Sequence, residues 1–202
     1  GYGINAEDLK KLNGERFFEL YNGHPAVHNE GDDMNIDLET MWDLINISYY
    51  NDRKPLLLGI ATDDSHNYHV KSINYSNTGR GWVMVNSQKI ETASLIEAME
   101  TGDFYSSSGV ILKKVYHNKE KLFIEIEPKE GIVYEIIFIG YRKGGHNIEE
   151  FKRVKGTSSD YTFQENDLFV RAKINSNDLK ENPYRVGETK QAWVQPVVVK
   201  NK

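Results

Sequence analysis

Near Ser106-Ser107-Ser108-Gly109 the hydrophobic period of this chain changes, and no single architecture accommodates the patterns on both sides. Before that point helical stripes alternate with short apolar runs. Residues 6–12 read as a short helix behind Asn5, a residue type that caps helix starts by accepting a backbone N–H. Residues 16–21 read as a strand stopped by Asn22-Gly23. Apolar residues at 38, 41, 42, 45 and 49 mark one helix face, with Asp37 as its cap. Residues 56–61 form a continuous apolar run of strand length, the pattern of a parallel strand buried on both faces. Residues 82–85 are a further short strand, and 92–99 a helix closed by Gly102. The order helix, strand, helix, strand, strand, helix predicts an α/β unit with parallel strands.

After that point helical stripes vanish. Strand patterns fall at 110–116, 122–127, 133–141, 161–163, 168–174 and 192–199, with turn residues such as His117-Asn118 and Gly144-Gly145 between them. Short strands at this spacing predict an antiparallel β-sandwich. The predicted domains are therefore 1–107 and 108–202, with the serine run as the joint.

Charge and cysteine content narrow the function classes. The chain has no cysteine, which excludes disulfides, thiolate metal sites and thiol nucleophiles. Its net charge of −5 is uneven: residues 1–107 hold 17 acids against 8 bases, and the remainder 13 against 17. An acidic first half argues against a nucleic-acid partner and suits a cation. No apolar run approaches the roughly 20 residues that cross a bilayer, so no membrane partner is expected. The opening Gly1-Tyr2-Gly3-Ile4-Asn5 has no basic or apolar leader and no methionine, which predicts a piece of a longer chain.

The strongest chemical signal is Asp64-Ser65-His66, just past the carboxyl end of the apolar strand, where α/β folds build their sites. A carboxylate oxygen with an imidazole nitrogen suits Zn²⁺, Mn²⁺ or Fe²⁺; the plain alternative is a solvated loop. Four of the six histidines lie between His24 and His69. Of these, His24 follows a strand end in Tyr21-Asn22-Gly23-His24-Pro25, which places Asn22 and His24 near the same pocket, while His28 and His69 read as surface residues. Glu19 lies in that strand on the face opposite Phe18 and Leu20. Asp63 belongs to the same loop as Asp64. Arg80, in Arg80-Gly81-Trp82, is a candidate for bidentate phosphate binding or for pairing with a local carboxylate. No G-x-G-x-x-G, P-loop or G-x-S-x-G pattern occurs. In the second half Tyr134, Tyr141, Tyr161, Tyr184 and Trp193 read either as a ligand platform or as packing residues.

Several segments together resemble the PHP family, the polymerase and histidinol-phosphatase superfamily of metal-dependent phosphoesterases. They are Phe18-Glu19-Leu20-Tyr21-Asn22-Gly23-His24-Pro25, Gly59-Ile60-Ala61-Thr62-Asp63-Asp64-Ser65-His66, Gly79-Arg80-Gly81-Trp82, and the run from Ala98 to Gly109 containing Thr101-Gly102-Asp103-Phe104-Tyr105. The resemblance covers about residues 1–109. It implies an α/β fold that is part of a (β/α)7 PHP barrel, with Asp64 and His66 in the family's last metal motif. It also implies a divalent metal (Zn, Mn or Fe) and a small phosphorylated substrate in the intact protein. The family's opening H-x-H motif and its other early ligands are absent from this sequence, so the chain alone is expected to be weak or inactive. The second half is similar to the β-sandwich appended to some bacterial PHP proteins, in Phe138-Ile139-Gly140, Val170-Arg171-Ala172-Lys173-Ile174 and Ala192-Trp193-Val194-Gln195-Pro196-Val197. That attachment implies a periplasmic or secreted parent. A partial barrel would also leave open strand edges, an expected route to self-association. Two other readings compete: a glycan- or surface-binding sandwich on a non-catalytic scaffold, and a stable remnant of a longer chain.

Overall fold

A computed structural model describes residues 3–200, so Gly1, Tyr2, Asn201 and Lys202 lie outside it. The described chain separates into two compact units. One runs to Ser106 and takes in Asn182–Val186; the other holds Ser107–Glu181 and continues from Gly187.

In the first unit α1 (Ala6–Leu9) starts at Asn5, whose side chain accepts from the Asp8 N–H while Asp8 reaches back to the Asn5 N–H. The strand β1 (Phe17–Asn22) pairs in parallel with β2 (Leu58–Thr62). Between them runs α2 (Leu38–Asn51), capped by Asp37 through the Thr40 N–H at 2.8 Å. Leu38, Met41, Trp42, Ile45 and Tyr49 form the buried face that the 3.6-residue period marks. Trp42 of this face and the buried Asn46 hold the residue that leads into β2. The Leu57 carbonyl accepts from Trp42 Nε1 at 2.9 Å and from Asn46 Nδ2 at 3.1 Å, and the Leu57 N–H donates to Asn46 Oδ1 at 2.8 Å. After β2 come β3 (Trp82–Val85), α3 (Thr92–Thr101) and β4 (Phe104–Ser107), with β3 hydrogen-bonded to β4. Gly102 ends α3 at φ +84°, the left-handed cap expected of glycine.

This unit is not part of a (β/α)7 barrel. The protein is 40% strand and 14% helix, with three helices among the described residues. A barrel wall repeats strand–helix–parallel strand in one continuous sheet, whereas here β1–α2–β2 forms a separate two-stranded sheet. The chain between β2 and β3 is a loop without a helix, and β3 is not hydrogen-bonded into the β1–β2 pair. At the outer edge of β1 the Asn29 side chain meets Asn22, accepting from its N–H and donating to its carbonyl, each at 2.8 Å. These are the two bonds that a neighbouring strand would make there.

The second unit is β-sandwich-like. One antiparallel sheet has the order β11–β10–β7–β8, using β7 (Tyr134–Arg142), β8 (Glu149–Lys155), β10 (Asp167–Leu179) and β11 (Thr189–Val198). The other contains β5 (Leu112–His117), β6 (Lys121–Ile126) and β9 (Ser158–Thr162) in the order β5–β6–β9. Leu122, Ile124 and Ile126 alternate inward from β6, while Ile136, Phe138, Phe169, Ala172 and Ile174 are buried from the larger sheet. Phe138 of β7 stacks on Tyr161 of β9 with ring centroids 5.8 Å apart. No helix among the described residues is long and apolar enough to cross a membrane.

Candidate functional site

Parallel pairing sets Asn22 opposite Thr62, so β1 and β2 end side by side. The turn after β1 and the loop after β2 therefore start from neighbouring positions. Asp63 closes the neck of that loop. Its Oδ1 accepts the N–H groups of Arg80 at 2.7 Å and Gly81 at 2.8 Å, and its Oδ2 accepts that of Gly79 at 2.9 Å. Gly81 cannot be another residue without displacement, because a Cβ there would lie 2.6 Å from the Thr62 carbonyl oxygen.

Arg80 points into the loop and is 0% exposed. Its Nη1 donates to the carbonyls of Gly23 at 2.8 Å and Tyr75 at 2.6 Å, its Nη2 to that of Ser72 at 2.8 Å, and its Nε to that of Asn182 at 3.2 Å. Longer Nη2 contacts of 3.4 Å reach Asn77 Oδ1 and Asn182 Oδ1. The expectation that Arg80 binds phosphate is corrected here, because a guanidinium sealed from solvent and committed to backbone oxygens has no donor to offer a ligand. Asp63 has a structural part in the same loop, since both its oxygens hold backbone amides.

Asp64 and His66 occupy the outer side of the same loop, where both side chains are solvent-accessible. Asp64 has φ +48°, a left-handed conformation that Asp tolerates better than most residues. Its carbonyl accepts from His66 Nδ1 at 2.7 Å and from the Ser76 hydroxyl. The Ser76 carbonyl in turn accepts the N–H groups of His66 at 3.0 Å and Asn67 at 2.9 Å. Asn77 ties the rest of the loop, donating to the carbonyls of Asn67 and Val70. His66 is thus anchored through one ring nitrogen and through its backbone.

Asn22 and His24 complete the cluster from the β1 side. The buried Asn22 amide donates to Glu19 Oε2 at 3.0 Å and makes a long 3.5 Å contact with Asp64 Oδ2. Asn22 Oδ1 accepts the His24 N–H at 2.8 Å. Glu19 Oε1 accepts from the Thr62 hydroxyl at 2.5 Å. His24 Nδ1 accepts the Ala26 N–H at 3.0 Å. The His24 and His66 rings meet edge to face, centroids 5.8 Å apart at 89°.

Asn22, His24, Asp64 and His66 therefore come together, with Glu19 and Thr62 beside them. His28 is instead an exposed loop residue 3.4 Å from Asp32 Oδ2. Thr62 and Ser76 carry no local signal in the sequence; their parts follow from strand register and loop closure. Among the described residues, no group of three or more His, Asp or Glu side chains is placed to hold a metal ion. By donor type Asp64 and His66 suit one: Asp64 has an accessible carboxylate, its Oδ1 3.8 Å from His66 Nδ1, and with Nδ1 meeting a carbonyl the ring's other nitrogen, Nε2, is the one left for a ligand. Tyr134, Tyr141, Tyr161, Tyr184 and Trp193 are all buried. Of their two readings, platform or packing, burial leaves packing, since a sugar needs an exposed ring face. Comparison with protein-family models, with curated proteins and with solved structures returned no match.

Proposed function

We propose that this chain carries two ligands, Asp64 and His66, of a divalent-metal centre that hydrolyses small phosphate esters in the manner of the PHP phosphoesterases. The reading is carried by the orientation of His66. Metal-binding histidines almost always donate their second ring N–H to a carbonyl or carboxylate, and His66 Nδ1 does so to the Asp64 carbonyl. Imidazole and carboxylate together suit zinc, manganese or ferrous iron. A bound divalent ion would lower the pKa of a water to near neutrality and draw charge from a phosphoryl oxygen.

The residues of the chain have separate tasks in this reading. Asp64 supplies an oxygen, and the Asn22 amide restrains it from behind. Asn22 also ties Glu19 into the cluster, so two carboxylates share one neutral donor. His66 supplies Nε2. Two protein ligands hold an ion weakly, so the chain alone turns over slowly.

The test is metal content of the purified chain by plasma mass spectrometry, beside an Asp64→Ala/His66→Ala variant. After equilibration with zinc, partial occupancy that is lost in the variant is expected, as befits a weakly held ion. No metal above background, or equal metal in both proteins, would overturn the reading.

A further inference from the structure

The backbone around the two histidines assigns them opposite tautomers. A backbone N–H can only donate, so His24 Nδ1, which takes the Ala26 N–H at 3.0 Å, must carry a lone pair. Neutral His24 therefore bears its proton on Nε2. A backbone carbonyl can only accept, so His66 Nδ1, which lies 2.7 Å from the Asp64 carbonyl, must carry a proton. Neutral His66 therefore has its lone pair on Nε2. The two rings lie edge to face in one cluster, and their protons are assigned to opposite nitrogens.

We infer that the pair is divided in function: His66 Nε2 receives an electron-pair acceptor, and His24 Nε2–H donates a hydrogen bond to an oxyanion held beside it. Resting on the metal-centre reading above, this assigns the metal to His66 alone of the two. It makes His24 a binding residue for an oxygen of the phosphoryl group.

His24 is supported for that task on two sides. Its ring is held by the Ala26 N–H, and its own N–H is held by Asn22 Oδ1 at 2.8 Å. A donor whose direction is set beforehand loses little freedom when an anion arrives. A second metal ligand at His24 would require breaking the Ala26 bond or stripping the Nε2 proton. The nearby carboxylates of Glu19 and Asp64 disfavour a free anion, so a neutral donor at this edge has most value when a cation is present on His66.

The test is long-range proton–nitrogen correlation NMR on the labelled chain, at about pH 8, where an ordinary imidazole is neutral. The expected spectrum shows His24 protonated at Nε2 and His66 protonated at Nδ1. Zinc should then shift His66 Nε2 and leave the His24 Nε2 proton in place. Inorganic phosphate added to the chain should shift His24 Nε2–H. In His24→Gln, whose amide reproduces an Nε2–H donor, phosphate should still bind within about threefold; in His24→Ala binding should fall at least tenfold. His24 protonated at Nδ1, or losing its Nε2 proton to zinc, would overturn the division. No response of His24 to phosphate would overturn its anion-binding role. If the tautomers are as assigned and phosphate shifts His24 Nε2–H but zinc moves neither ring, the metal reading and the role of His66 fail, while the anion-binding role of His24 stands.

Discussion

Replacing Arg80 by alanine should open the loop after β2 rather than weaken a phosphate site. Four backbone carbonyls, those of Gly23, Ser72, Tyr75 and Asn182, accept from this fully buried guanidinium. Hydrogen bonds to a charged group contribute about 1.5–3 kcal/mol each, but the sum overstates the loss. The space vacated by a guanidinium admits water, which re-satisfies part of the set. Removing one member of a buried charged network costs about 3–5 kcal/mol, and ~4 kcal/mol is the value expected here. Amide hydrogen exchange read by mass spectrometry reports the opening directly. A loss of ~4 kcal/mol corresponds to about a thousandfold faster exchange wherever Arg80 holds the fold. That acceleration should appear in peptides spanning 58–62 and 63–81, while peptides from β7 and β10 serve as the reference. Arg80→Lys should give a smaller effect, because an ammonium has three donors and lacks the planar fork. Exchange within about threefold of the parent protein, accompanied by a loss of affinity for inorganic phosphate, would refute the structural assignment.

Two further predictions concern stability. A Cβ on Gly59 would lie 2.1 Å from Leu20 Cδ2 and 2.9 Å from Trp42 Cζ2. Gly59→Ala should therefore cost about 1–3 kcal/mol by overpacking, measured as a lower urea midpoint. In the sandwich-like unit, the hydrogen bond from Lys121 at 2.8 Å holds the Asp160 carboxyl below its ordinary 3.8, against an opposing rise from burial. A lowered native pKa means this stabilisation is complete above the ordinary value and is lost as pH falls through the native one. The thermal midpoint should accordingly drop on acidification below about pH 4, and Asp160→Asn should flatten part of that slope.

Elements with one buried face were legible in the chain. The stripe at 38, 41, 42, 45 and 49 is α2, and the alternation of Leu122, Ile124 and Ile126 is β6. In both, burial on one side imposes a local period that needs no knowledge of the partner. Two elements lacking such a face were missed. The β8 strand reads Glu149-Glu150-Phe151-Lys152-Arg153-Val154-Lys155 and lies at a sheet edge, mostly accessible, where charge replaces alternation. The β4 strand is buried on every residue, yet half of it is serine; Ser106 is accommodated because its hydroxyl donates to the Gly59 carbonyl at 2.8 Å.

The same division runs through the candidate site. That Asp64 and His66 lie close together was legible, because two residues at a strand end have their relation set by the local backbone. Arg80 was misread as a phosphate ligand, and the part of Asp63 was not legible, because their partners lie far along the chain, from Asp63 to the amides of 79–81 and from Arg80 to Gly23 and Asn182. The barrel expectation failed for a related reason. Alternating helix and strand patterns specify the elements, but which strands exchange hydrogen bonds depends on how the chain closes between them. After β2 that closure is a loop drawn together by one carboxylate and one guanidinium, and a period along the chain cannot express such a contact.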